Sequence, residues 1–136
     1  MLSTTADHAL RAVLFLARRP ERKASADEIA DAIGAPPNYL SKILHDLRKA
    51  GIVESVAGRQ GGFWLAPGSE ALSVAQIIDR FDAPPALTRC LLGDRPCNAR
   101  VPCAAHDKWS AITRNYRAAL ERTTIAHLAG LRGSSR

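Results

Sequence analysis

Ala35-Pro36-Pro37-Asn38-Tyr39-Leu40-Ser41-Lys42-Ile43-Leu44-His45-Asp46-Leu47-Arg48-Lys49-Ala50-Gly51 is the stretch that decides the fold. Proline withholds its amide and biases the residue before it away from helix, so Ala35-Pro36-Pro37 is a hard turn. From Asn38 to Ala50 the apolar residues Leu40, Ile43, Leu44 and Leu47 recur at helical spacing on one face. Asn38, Ser41, Lys42, His45, Arg48 and Lys49 share the other face, and Gly51 closes the helix as a C-cap. Such a helix buries one side and offers small polar and basic groups on the opposite one.

The flanks on both sides agree with that reading. Upstream, Ala6, Leu10, Val13, Leu14 and Ala17 step by three and four, which predicts a helix over 4–17 behind a Ser3/Thr4 cap. A polar linker, Arg18 to Lys23, leads to Ser25 and Glu28, a capping box opening a brief second helix that stops at Gly34. Downstream, Ile52–Val56 and Phe63–Ala66 are β-prone runs joined by the glycine-rich tip Ala57-Gly58-Arg59-Gln60-Gly61-Gly62, a hairpin signature. Helix, helix, tight turn, helix, hairpin is the order of a winged helix-turn-helix over residues 4–66.

That order assigns a partner. A helix enters the roughly 12 Å major groove only if its outer face can approach base edges and phosphates. Asn38, Tyr39, Ser41, Lys42 and Arg48 are the candidate DNA contacts on the third helix. Arg59 and Gln60 are those at the hairpin tip, whose glycines let the backbone lie close to a phosphate or minor groove. An ordinary solvated face would explain the basic helix by itself, but not the helix, turn and tip together. The acids Asp27, Glu28 and Asp31 fall on the second helix, away from the proposed contact face.

Ser73 and Gln76 form another capping box, opening a helix expected through Phe81, and Ala83-Pro84-Pro85 ends it. Residues 89–103 hold too many turn formers to be regular. A last long helix is expected from Cys103 or Ala104 to Arg122, with Trp109, Ile112, Tyr116 and Ala119/Leu120 as its apolar stripe. Thr124 caps a final short turn, Ile125 to Leu131. The expected chain is mainly α with a small β-hairpin wing. It divides into 1–82 for DNA binding, 83–103 as a cysteine-bearing loop, and 104–136 as helix and tail.

Composition bounds the rest. The 136 residues are 46% hydrophobic and 24% charged, the profile of one soluble globular domain. No run approaches the ~18 apolar residues of a bilayer span, and the first residues lack a signal peptide's basic start, so the cytoplasm is the expected compartment. The net charge of +6 lies wholly beyond residue 82, so charge alone locates no DNA-binding face. No catalytic Ser/His/Asp set, P-loop or paired-carboxylate cleft is apparent, and an enzyme is not expected.

Three cysteines, Cys90, Cys97 and Cys103, fall within fourteen residues, and His106 follows the third by three positions. In a reducing compartment such a cluster reads as metal or redox chemistry before disulfides. Three sulfurs and one nitrogen suit either a closed zinc site or an iron–sulfur cluster. The gaps of six and five residues are wider than the usual zinc pairs and fit a larger object better. A reversible thiol switch is the further alternative. A small electron carrier would hold a cluster without needing the recognition-type helix and hairpin.

The chain resembles the dimeric winged-helix regulators of the IscR, NsrR and RirA type. The resemblance is carried by Thr5-Ala6-Asp7-His8-Ala9-Leu10-Arg11, Pro37-Asn38-Tyr39-Leu40-Ser41-Lys42, and Ser55-Val56 leading into Gly61-Gly62-Phe63. It continues in the cysteines, His106, Trp109 and Thr123-Thr124-Ile125-Ala126-His127-Leu128. It implies a homodimer joined along the long C-terminal helix, binding a partly palindromic double-stranded operator, most simply as a repressor. It also implies a [2Fe–2S] or [4Fe–4S] cluster held by Cys90, Cys97 and Cys103. For the fourth ligand it offers two residues: His106, as in IscR-like members, or Asp7 from the partner subunit, as in NsrR-like members. The signal would be nitric oxide, redox or iron status.

Overall fold

Ser3 begins the first helix with an extended backbone, its hydroxyl accepting the Ala6 amide at 3.0 Å, and α1 then runs Thr4–Ala17. The computed structural model describes residues 2–82 and 105–130. Cys90, Cys97 and Cys103, with the rest of 83–104, lie outside the described residues. The second helix, α2 (Ala26–Ile33), opens on the expected capping box: Glu28 amide to Ser25 hydroxyl at 3.0 Å, Ser25 amide to Glu28 carboxylate at 3.3 Å. Gly34 ends it with φ of 73°, the left-handed conformation that glycine adopts without a Cβ penalty.

The deciding stretch forms α3 (Pro37–Lys49), with Pro37 at its first position, where a missing amide costs nothing. The antiparallel hairpin follows, β1 (Val53–Val56) on β2 (Gly62–Leu65), with Val53 opposite Leu65 and Val56 opposite Gly62. Across it the Trp64 indole donates to Glu54 at 2.9 Å. The hairpin is anchored to the chain before α2, because Ala24 and Phe63 exchange both backbone hydrogen bonds, at 2.8 and 3.0 Å. A 3₁₀ turn (Ser69–Ala71) leads to α4 (Val74–Ile78), again behind a capping box, Ser73 with Gln76.

Helix α4 ends at Ile78, short of the expected Phe81. The amides of Arg80 and Phe81 bond to carbonyls three residues back, and this tighter winding packs Phe81 on the core. Among the described residues the long C-terminal helix, α5, spans His106–Arg122, and α6 spans Ile125–Ala129.

The core is organised around α1. Its inner face is four alanines, Ala6, Ala9, Ala12 and Ala17, with Val13 and Leu16, all buried. Against it pack α2, α3, α4, β2 and α6. Leu40, Ile43, Leu44 and Leu47, the apolar face read from the sequence, are all at most 2% exposed. Burying each is worth about 1.5–3 kcal/mol. Ile125 of α6, fully buried, completes the same core although it follows α5 in the chain. A backbone pairing holds it there: Val74 amide to Thr123 carbonyl at 2.8 Å, Ile125 amide to Leu72 carbonyl at 2.9 Å. Helix α5 stands apart, packing chiefly on α4, with no buried residue along its length. Among the described residues no helix is long and apolar enough to cross a membrane.

Candidate nucleic-acid interface and its link to the cysteine segment

With four apolar residues of α3 turned inward, Asn38, Ser41, Lys42, His45, Arg48 and Lys49 are all exposed. All six carry side-chain donors: an amide, a hydroxyl, an imidazole N–H, two ammonium groups and a guanidinium. Such a face can hydrogen-bond base edges and phosphate oxygens. Arg48 and Lys49 also sit in the last turn, where positive charge complements the helix dipole.

The wing tip also reaches solvent. Arg59 and Gln60 are exposed, and the tip is closed by the Gly61 amide on the Gly58 carbonyl at 3.0 Å. Lys23 lies beside it, its ammonium 3.5 Å from the Gln60 carbonyl. Gly61 is required by contact: a Cβ there would lie 2.0 Å from the Val56 carbonyl oxygen, which is backbone and cannot swing aside.

Tyr39 behaves differently from its neighbours. It is half-buried, and its hydroxyl donates to the Thr5 hydroxyl of α1 at 2.8 Å. The His8 ring meets the Tyr39 ring edge-on, centroids 5.4 Å apart at 75°. The structure therefore places this expected DNA contact in the joint between α1 and α3.

The same end of α1 holds Asp7. It is half-buried, pairs with Arg11 at 3.0 Å, and lines an open cleft with Leu2, Ser3, Thr4 and Tyr116 of α5. Ser3 meets Asp82, whose carboxylate accepts both the Ser3 amide, at 3.0 Å, and the Ser3 hydroxyl. Asp82 immediately precedes the segment 83–104, so that segment departs from a point tied to the start of α1.

His106 is half-buried in the first turn of α5. Tyr116, in the wall of the Asp7 cleft, stands ten residues further along the helix, about 15 Å of rise. The two candidate fourth ligands therefore sit at different levels of α5. Among the described residues no three His, Cys, Asp or Glu side chains converge on a metal-sized centre.

A bidentate ion pair fixes α5 to α4. The Arg117 guanidinium donates to both carboxylate oxygens of Asp79 at 2.6 Å, and Arg117 also reaches Glu121 at 3.2 Å. Those hydrogen bonds hold the Asp79 carboxyl below its ordinary value against the opposing effect of burial, and raise that of Arg117. Sequence reading missed this pair and the Asp82–Ser3 contact. Their partners lie 38 and 79 residues apart, and no local pattern signals such pairings.

A family model described as "Rrf2: Iron-dependent Transcriptional regulator" matches residues 2–130. The chain is 39% identical over 132 residues to a helix-turn-helix-type transcriptional regulator of Mycobacterium tuberculosis, covering 95% of this chain and 81% of that one. Its fold is similar to that of CymR, the global cysteine regulator of B. subtilis, with a TM-score of 0.77 at 24% identity, covering 96% of both chains. The structure of T. potens IscR is similar as well, with a TM-score of 0.71 at 26% identity over 96% of this chain and 86% of that one.

Proposed function

Because the chain belongs to the Rrf2 family of transcriptional regulators, which bind DNA, are typically dimeric and are not enzymes, we propose that it is a homodimeric repressor whose operator affinity follows the state of an iron–sulfur cluster. Asn38, Ser41, Lys42 and Arg48 of α3 enter the major groove, while Arg59 and Gln60 of the wing contact the flanking backbone. The observation that carries this reading is the face of α3 itself: a polar, basic surface wholly open to solvent on a helix whose other side is wholly buried.

The dimer forms along α5. Trp109, Ile112, Tyr116 and Leu120 make an apolar stripe in which Leu120 packs on the chain's own core, Trp109 and Tyr116 are half-buried, and Ile112 is 53% exposed. A two-fold contact between two such stripes buries both and sets two α3 helices against half-sites about one turn of DNA apart.

The donor set fits a cluster. In this reading Cys90, Cys97 and Cys103, whose thiolates are the soft donors iron–sulfur clusters take, supply most of the ligation, completed by His106 or by Asp7 of the partner subunit. When bound, a cluster supplies redox chemistry and a site open to nitric oxide. This chain's residues do the rest. Ser3 tethers Asp82, and so the start of the cysteine segment, to the first turn of α1; Arg117 and Asp79 hold α5 to α4. A change in the segment's conformation then bears on α1 and α5 together, and so on the separation of the two reading helices.

Purification without oxygen, with iron and sulfide analysis and a visible spectrum, tests this. Brown protein is expected, with Cys97→Ala losing the visible absorbance and binding operator DNA with altered affinity. A colourless, zinc-containing protein would select the zinc reading, and a metal-free protein whose affinity follows oxidation the thiol switch. Identical operator binding by both forms would remove the cysteines from the mechanism.

A further inference from the structure

We infer that Tyr39 is a positioning residue: its hydrogen bond to Thr5 fixes the angle of the reading helix on α1, and Tyr39 does not itself read DNA. The inference rests on the DNA-binding reading above and deepens it. Three observations carry it. First, the Tyr39 hydroxyl is engaged inward, donating to Thr5 at 2.8 Å, while Asn38, Ser41 and Lys42 around it are exposed. Second, α3 has no side-chain cap at its N-terminus, because Pro36 occupies the capping position. The first turn of α3, the turn that leads into the groove in helix-turn-helix proteins, is therefore held from outside the helix. Third, the His8 ring stands edge-on against the Tyr39 ring, so the tyrosine has a fixed wall as well as a hydrogen-bond partner.

The other side of the joint gives it a purpose. Thr5 lies in the first turn of α1, between Ser3, which is bonded to Asp82, and Asp7, which lines the cleft against Tyr116. A displacement of the chain beyond Asp82 is felt first by that turn. The Thr5–Tyr39 pair passes it directly to α3, two residues from Ser41 and three from Lys42. Apart from the His8–Tyr39 ring contact, the side chains that α1 and α3 bury are alkyl groups, which tolerate sliding better than a directed hydrogen bond does.

A double-mutant cycle on operator binding tests the inference, using a labelled duplex that the wild-type protein selects from a random-sequence pool. Circular dichroism confirms that each variant is folded. Tyr39→Phe and Thr5→Val are each expected to weaken binding by roughly three- to tenfold, the scale of one hydrogen bond. The double variant is expected to be no weaker than either single one, and Thr5→Ser, which keeps the hydroxyl, to bind as wild type. The difference in affinity between the wild-type background and Cys97→Ala should shrink in Tyr39→Phe. Loss of binding in Tyr39→Phe with none in Thr5→Val would mean that Tyr39 touches DNA, and would overturn the inference. So would multiplying losses, or none at all. If Cys97→Ala leaves binding unchanged while the cycle stays non-additive, the sensing proposal fails and the positioning role stands.

Discussion

A single hydrogen atom in place of a methyl group decides the shape of the wing. At Gly61 the hairpin turns so sharply that a Cβ would be 2.0 Å from the Val56 oxygen and 2.8 Å from the Ala57 carbonyl carbon. Both obstacles are backbone of the same turn, so no rotamer change relieves them. Gly61→Ala must open the tip, at a strain cost of about 1–3 kcal/mol. The helical core contains no residue from 57 to 61 and should survive. The expected result is a native circular dichroism spectrum, a modestly lowered Tm, and operator binding weakened by about tenfold or more. Arg59→Ala provides the electrostatic comparison, keeping the turn while removing one cation. Its plot of log affinity against log salt should flatten by about one unit if Arg59 meets a phosphate. Full affinity in Gly61→Ala would take the wing out of the interface. The sequence advertised a glycine-rich tip, which suggested close approach to DNA. The structure adds a more local demand, because Gly61 is needed to build the wing at all.

At the scale of elements, what the sequence disclosed was whatever is encoded within a few residues. The boxes Ser25/Glu28 and Ser73/Gln76 both close as read, and the α3 face Leu40, Ile43, Leu44, Leu47 is buried as read. Helix contacts that span the chain were not legible. The clasp of α4 on α5 shows why: Asp79 and Arg117 are unremarkable charges in sequence, yet they meet as a bidentate pair, 32% and 27% exposed. The energetic consequence has a definite sign. Asp79 is held below its ordinary value of 3.8, chiefly by the hydrogen bonds from Arg117. A carboxyl whose folded value is depressed adds stability above its unfolded value, and that stability is lost as pH falls through the folded one. Solvent screening keeps the effect to ~1 kcal/mol. The Tm difference between wild type and Asp79→Asn should therefore be constant from neutral pH to about 5, and narrow below about pH 4. A difference that persists unchanged to pH 3 would mean that the pair's charge contributes nothing to stability.

Across the whole molecule, the exposed polar face of α3 and the exposed wing tip, which we propose read DNA, were legible because one helix and one hairpin carry them. The proposed sensing half was legible only as composition: three sulfurs outside the described residues, a histidine and an aspartate, with no local pattern that joins them. The apolar stripe of α5 falls between these cases. Its periodicity predicts a buried face, yet the helix has no buried residue, and Ile112 is 53% exposed. This helix of 17 residues, about 25 Å long, leaves the middle of that stripe, at Ile112, open among the described residues. In the proposed dimer a two-fold partner completes it, and the consequence for DNA binding is quantitative. One reading head gains only its own half-site, whereas two held rigidly together gain both, since the second binds at high effective concentration. Ile112→Asp places two carboxylates face to face at the centre of that contact, while the core around α1, which excludes Ile112, is untouched. Sedimentation should then show a folded monomer at micromolar concentration, and affinity for a two-half-site duplex should fall by about a hundredfold or more. Affinity for a single half-site should stay close to that of the wild type. If Ile112→Asp remains a dimer, the two chains meet through some other surface, and the spacing of the reading helices is not set by α5.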